Sequence, residues 1–199
     1  MLRTSEGRLP ALLAFIDYHA ADCGPYRELL LAQRLGGRGA GLHLTVTRIL
    51  VSTTASLVNG RRNWGMPKEL ARFEVEEADV GRAREACVTS TRDGGPCARL
   101  HMRAASVRLP MTTALVPRAW RTFTQHLEGR EYRFAPSARG WLAPARVLSW
   151  RVDESWPALA GARALGAVRV VGFTLIVPAA TIHPLRKEPG GESASSTAG

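Results

Sequence analysis

Lys68 is the residue whose type and setting suggest chemistry. The chain has 27 basic residues, 25 Arg and 2 Lys. Lys187 lies in a polar C-terminal stretch, so the body of the sequence holds one lysine. Elsewhere Arg supplies positive charge. A guanidinium stays protonated and cannot replace a lysine where a neutral amine must act. A lone internal lysine in this background therefore points to amine chemistry. The run from Asn59 to Val75 reads NGRRNWGMPKELARFEV. Pro67 removes a backbone N–H and fixes its own φ, so Lys68 leaves a rigid corner. Trp64 and Met66 are placed to supply an apolar wall, which disfavours an ammonium. An ordinary lysine, with a pKa of ~10.4, offers the free amine in about one molecule in 2,500 at pH 7. Apolar burial is thus what a Schiff-base nucleophile at Lys68 requires. These residues alone also allow a surface lysine after a turn.

Other chemistries find less support. His19, His43, His101, His126 and His183 are far apart, and the local group Asp17, His19, Asp22 lacks the H-x-x-x-H or H-E-x-x-H spacing of a metal site. No metal is expected. No G-x-S-x-G marks a serine nucleophile. Cys23, Cys87 and Cys97 are odd in number and form no C-x-x-C, which reads as reduced thiols. Cys23 has a Gly24-Pro25 turn beside it and no evident base.

The net charge is +10 over 199 residues. It is scattered, with no basic block and no aromatic-plus-basic stripe, so nucleic acid is not the expected partner. The field suits anionic small substrates. The longest apolar run, Val170 to Ala180, is about half of the ~20 residues a membrane helix needs. Glu6 and Pro10 interrupt any signal-peptide layout. The expectation is a cytoplasmic protein without a membrane partner.

The elements that must position Lys68 read mostly as strands. Glu28 to Leu35 and Leu42 to Val51 suggest a hairpin across the glycine-rich run 36–41, the second strand alternating Leu42, Leu44, Val46 with His43, Thr45, Thr47. A short helix is expected over Ser52 to Asn59, capped by Ser52 or Thr53 and ended by Gly60. Arg72 to Val80 reads as a strand. Glu85 to Arg92 and Cys97 to Leu109 read as a pair around Asp93-Gly94-Gly95. Thr113 to His126 is a candidate helix interrupted by Pro117. Val147 to Asp153 and Ala167 to Val177 are further strands, the latter apolar enough to be central. No βαβ rhythm appears, so the fold class is α+β with a curved, largely antiparallel sheet. Residues 1–186 read as one domain, weakly patterned over 1–10, and 187–199 as a disordered polar tail.

Gly60, Arg61, Pro67, Lys68 and Leu70 resemble the lysine motif of the acetoacetate decarboxylase-like superfamily. Gly24-Pro25-Tyr26-Arg27-Glu28 is similar to the family segment ending in an active-site glutamate, and Glu28 lies 40 residues before Lys68. The run Phe173 to Pro178 looks like the family's closing strand. The resemblance spans about residues 22 to 180. It implies a sheet closing into a cone, a Schiff base between Lys68 and a keto acid, no metal or organic cofactor, and a homo-oligomer. It implies decarboxylation; an aldolase-dehydratase or a non-catalytic binder on the same fold are the alternatives. Glu28 is then the residue that positions substrate or shuttles protons. Arg61, and more weakly Arg48, are candidates for the substrate carboxylate, with a structural ion pair as the other reading of Arg61. Trp64 and Met66 serve as pocket or core. The decarboxylases carry a second lysine directly after the first, where this chain has Glu69. A carboxylate facing Lys68 would favour its charged form.

Overall fold

The computed structural model describes residues 2–3, 10–34, 43–92 and 95–185. Its backbone pairs into two sheets, with one α-helix among the described residues. The first strands are β1 (Leu2–Arg3), β2 (Pro10–Tyr18), β3 (Tyr26–Arg34) and β4 (Leu44–Val51). β3 and β4 form the expected antiparallel pair, with Glu28 opposite Val51. The glycine-rich connection lies outside the described residues. β2, which the sequence reading did not single out, pairs with β3 so that Tyr18 faces Tyr26 and Ile16 faces Glu28. Opposed strand residues share a face, as do i and i+2. Tyr18, Tyr26 and Glu28 therefore project together.

Helix α1 (Thr54–Trp64) follows. The Thr53 hydroxyl accepts from the Ser56 N–H, as the capping expectation required. The helix passes Gly60 and stops at Gly65, whose φ of 60° is left-handed and whose N–H returns to Arg61. β5 (Lys68–Leu70) then runs parallel to β4, with Lys68 opposite Ile49.

The second sheet starts with β6 (Arg72–Val80), β7 (Ala83–Arg92), β8 (Gly95–Ala105) and β9 (Leu109–Thr112). Arg92 pairs with Gly95 across the expected turn; Asp93 and Gly94 themselves lie outside the described residues. The helix expected over Thr113 to His126 is absent. Two 3-10 turns, Thr113–Leu115 and Arg118–Trp120, precede β10 (Phe123–Leu127). Pro117 forces Val116 into extended backbone, at φ −88° and ψ 126°, and so breaks the helix. β11 (Arg130–Phe134) pairs with β10 across Glu128 and Gly129, both at positive φ, 51° and 72°. The chain continues through β12 (Ser137–Val152), β13 (Arg163–Ala164), β14 (Ala167–Ile176) and β15 (Thr181–Pro184).

The first sheet runs β13-β1-β2-β3-β4-β10-β11-β15, with β5 added beside β4; the second runs β14-β12-β8-β7-β6, with β9 beside β12. The mostly-sheet α+β expectation holds. The cone does not close by backbone hydrogen bonds among the described residues. β14 is an edge strand, not a central one. Its apolar content serves contacts between sheets: Phe173 meets the Tyr18 ring edge-on at 6.1 Å. Arg169 of β14 reaches Glu77 of β6, the opposite edge, at 2.9 Å. Side chains thus bridge what the backbone leaves open.

Each face of the first sheet buries a separate cluster. Leu29, Leu31 and Leu50 meet Cys97, Ala98, Trp156 and Leu159 between the sheets. On the other face Ala32, Val46, Ile49 and Val51 pack with Leu57 of α1, Met66 and Phe123. No helix among the described residues is long and apolar enough to cross a membrane. The tail 187–199 lies outside the described residues.

Candidate active site

Lys68 lies at the start of β5, on the α1 face of the first sheet. Its side chain is buried, at 4 % exposure. The corner that places it is fixed by the left-handed Gly65, by Pro67, and by the Lys68 N–H donating to the Met66 carbonyl at 2.8 Å. Gly60 makes room: a Cβ there would lie 2.3 Å from Lys68 Cε. Helix α1 therefore approaches the lysine stem with bare backbone. Arg61, one residue on, donates from Nε to the Lys68 carbonyl at 3.1 Å and ties the helix to the strand.

Nζ of Lys68 meets two oxygens. It donates to Glu28 Oε2 at 2.9 Å and to Ser56 Oγ at 3.0 Å. It also stands 5.1 Å from the centre of the Tyr26 ring. Glu28 is buried to the same 4 %. A buried charge is tolerated when paired and hydrogen-bonded, and each of these groups is the other's partner. Burial pushes the Glu28 carboxyl above the usual carboxylate range, against the opposing pull of Lys68 and of a hydrogen bond from Tyr18. Such a carboxylate is a ready proton acceptor. One proton passed from Nζ to Oε2 leaves a neutral amine beside a neutral acid. Burial also pushes the Tyr18 and Tyr26 hydroxyls upward, with the Glu28 charge second, so both stay protonated. The two rings stack at 4.4 Å and line a cleft of about 470 Å³ shared with Arg27, Ser52 and Phe73.

The structure brings Lys68 and Glu28 together. It does not set the other sequence candidates around Nζ. Trp64 donates from Nε1 to the Pro178 carbonyl at 2.8 Å, and Met66 joins the apolar cluster under α1. The polar contacts of Nζ are one carboxylate and one hydroxyl, with the Tyr26 ring beside them. Arg48 lies on the opposite face of the sheet, over the Trp156 ring at 5.2 Å and 3.6 Å from Glu69. Burial lowers its affinity for its proton, with Arg92 adding to the effect. Glu69 also pairs with Arg92. Strand alternation sends it away from Lys68, so the carboxylate after the lysine does not face the amine.

Sequence reasoning missed Ser56, Tyr18 and Tyr26 as neighbours of the lysine. Ser56 follows the Thr53 cap by three residues, a position that only a helix model places inward. Tyr18 needs the β2–β3 register. Tyr26 lies two residues before Glu28, and period two alone puts it on the same face.

A sequence profile of the acetoacetate decarboxylase (ADC) family matches residues 9–155. No curated protein matches the sequence significantly. Among solved structures, the fold is similar to an acetoacetate decarboxylase from Legionella pneumophila, at TM-score 0.54 and 13% identity, covering 87% of this chain and 73% of that one. It is also similar to an acetoacetate decarboxylase-like enzyme from Sphingomonas wittichii RW1, at TM-score 0.53 and 14% identity, covering 80% and 69%. With the family profile spanning most of the sequence, from β2 to the end of β12 and beyond, this chain belongs to the acetoacetate decarboxylase family.

Proposed function

We propose that this protein decarboxylates a keto acid through a Schiff base at Lys68. The observation that carries the reading is the buried contact of Nζ with Glu28 at 2.9 Å. Lys68 gives a proton to Glu28, and the freed amine attacks the substrate carbonyl. The carbonyl oxygen takes up the proton that the attacking nitrogen sheds, and Glu28 returns its own as the carbinolamine loses water. The iminium draws in the electron pair of the adjacent C–CO2 bond of a 3-oxo acid, releasing carbon dioxide and an enamine. Protonation at carbon and hydrolysis free the product and the lysine. Family membership supports this reading.

The test is borohydride reduction in the presence of acetoacetate and a small panel of 2-keto acids, followed by peptide mass spectrometry. A mass increase on Lys68, lost in Lys68→Arg, is the expected result. Folded wild-type protein that traps none of these acids would overturn the reading and favour a non-catalytic binder.

A further inference from the structure

The cleft beside Lys68 is larger than a short keto acid needs. Its volume of about 470 Å³ falls within the range that encloses a drug-sized ligand, and a four-carbon acid such as acetoacetate leaves most of it unfilled. Its apolar wall is chiefly aromatic. Tyr18 of β2, Tyr26 of β3 and Phe73 of β6 line it, so both sheets contribute rings. All three residues are half-buried, which leaves part of each for a ligand.

The wall is braced from behind. Tyr18 and Tyr26 stack at 4.4 Å, Phe173 meets Tyr18 edge-on at 6.1 Å, and Phe15 stands 6.0 Å from Phe73. Arg27 ties the two sheets at this point: its Nε donates to Asp17 Oδ2 at 3.3 Å and its Nη1 to the Phe73 carbonyl at 3.3 Å. Its backbone N–H donates to the Ser52 hydroxyl at 2.9 Å. Side chains held in place before a ligand arrives lose little freedom when it binds. The Tyr26 ring joins cleft and lysine, since its centre is 5.1 Å from Nζ. A ketone carbon at Nζ therefore sends its substituent past Tyr26 toward Tyr18 and Phe73.

We infer that this cleft seats an aryl group, so that the substrate is a keto acid carrying one on a short tether, with Tyr18, Tyr26 and Phe73 as specificity-determining residues. The inference rests on the Schiff-base reading and adds the substrate class. A phenyl ring gains offset or edge-on contacts with such side chains beyond the apolar area it buries, and a saturated chain of similar length does not. The methyl group of acetoacetate covers little of the wall.

The experiment compares acetoacetate, 3-oxooctanoate and 3-oxo-5-phenylpentanoate by borohydride trapping on Lys68. The readout is the concentration that gives half-maximal adduct. With wild-type protein the phenyl acid is expected to need at least about tenfold less than acetoacetate, the scale of burying a ring. It is expected to need about threefold less than the straight-chain acid, the scale of aromatic contact. In Phe73→Leu, which keeps an apolar side chain, the advantage over the straight-chain acid should shrink; Tyr18→Leu gives the same reading from the other sheet. An acetoacetate adduct with no advantage for the phenyl acid overturns the inference and leaves the Schiff-base reading in place. An advantage that both variants keep also overturns it. 5-Phenylpentanoate, which lacks the ketone, separates the two readings through saturation-transfer NMR of its ring protons. Ring contact without an adduct from any of the three acids supports the aryl seat and overturns the Schiff-base reading. Neither contact nor adduct overturns both.

Discussion

At the scale of residues, the pairing of Lys68 with Glu28 has a consequence for stability as well as chemistry. Lys68→Met leaves Glu28 buried without its counter-charge. Its carboxyl, already raised by burial, then rises further. A carboxyl raised in the folded state gives stability that is fully present below its unfolded value, near ~4.3, and lost as pH climbs through the folded value. The variant should therefore melt at a progressively lower temperature from pH 5 to pH 8, losing about 3 kcal/mol. Wild type should show the same sign, smaller. The double variant Lys68→Met with Glu28→Leu should flatten the profile; thermal denaturation across pH checks both. Lys68 is legible in the sequence because arginine serves every other need for charge in the body of the chain. Glu28 is legible only through its segment and its distance from the lysine. The other residues around Nζ are not, because which side chains share a face depends on strand register. Trp64 and Met66, read from the sequence as pocket or core, make their contacts with the Pro178 carbonyl and with the apolar cluster under α1.

At the scale of elements, α1 departs from its sequence reading at the residue that matters to the site. Gly60 suits a helix end, and the helix was expected to stop there. Its missing side chain instead makes space for the lysine, and the true end is Gly65 in a left-handed cap. Opposite signs follow for one substitution. In an ordinary helix interior, Gly→Ala stabilises by about 1 kcal/mol. Gly60→Ala should instead lower the melting temperature and abolish trapping at Lys68, since the added methyl overlaps Cε. Denaturation and adduct yield measured on one preparation decide it. Gly65→Ala meets two obstacles, the positive φ and the Tyr132 ring 2.4 Å from the new Cβ, and should destabilise by about 1–3 kcal/mol. Strand pairs with clear alternation or a strong turn, such as β3–β4 and β7–β8, are legible. β10–β11 is harder to see: its turn is Glu128-Gly129, without the Asn-Gly or Asp-Gly signature, and Pro117 is read as an interruption of a helix that never forms.

At the scale of the whole molecule, the Arg169–Glu77 contact joins the two edge strands of the second sheet. Glu77 is shared with Arg84 at 2.7 Å, so removing Arg169 leaves one partner in place. Arg169→Ala should cost no more than about 1 kcal/mol, with a larger effect at low salt than at high. Faster amide exchange in β14 than in β8, which has strands on both sides, is the expected companion signal. An unchanged β14 exchange rate in the variant would deny the contact any part in holding the edge. The α+β class is legible because strand patterns dominate and no βαβ rhythm occurs. The order of strands is not, since apolar content made β14 look central when those side chains answer to the other sheet.

The corner before β5 has a further meaning. Three residues of β5 pair with β4, and two of them, Lys68 and Glu69, carry opposite charges to opposite faces. Sliding this short strand by a single position would exchange an ammonium for a carboxylate opposite Glu28, turning attraction into repulsion and placing the lysine among arginines. Gly65 and Pro67 therefore act as a register lock. One inserted or deleted residue between them should erase the chemistry more thoroughly than many substitutions in the pocket.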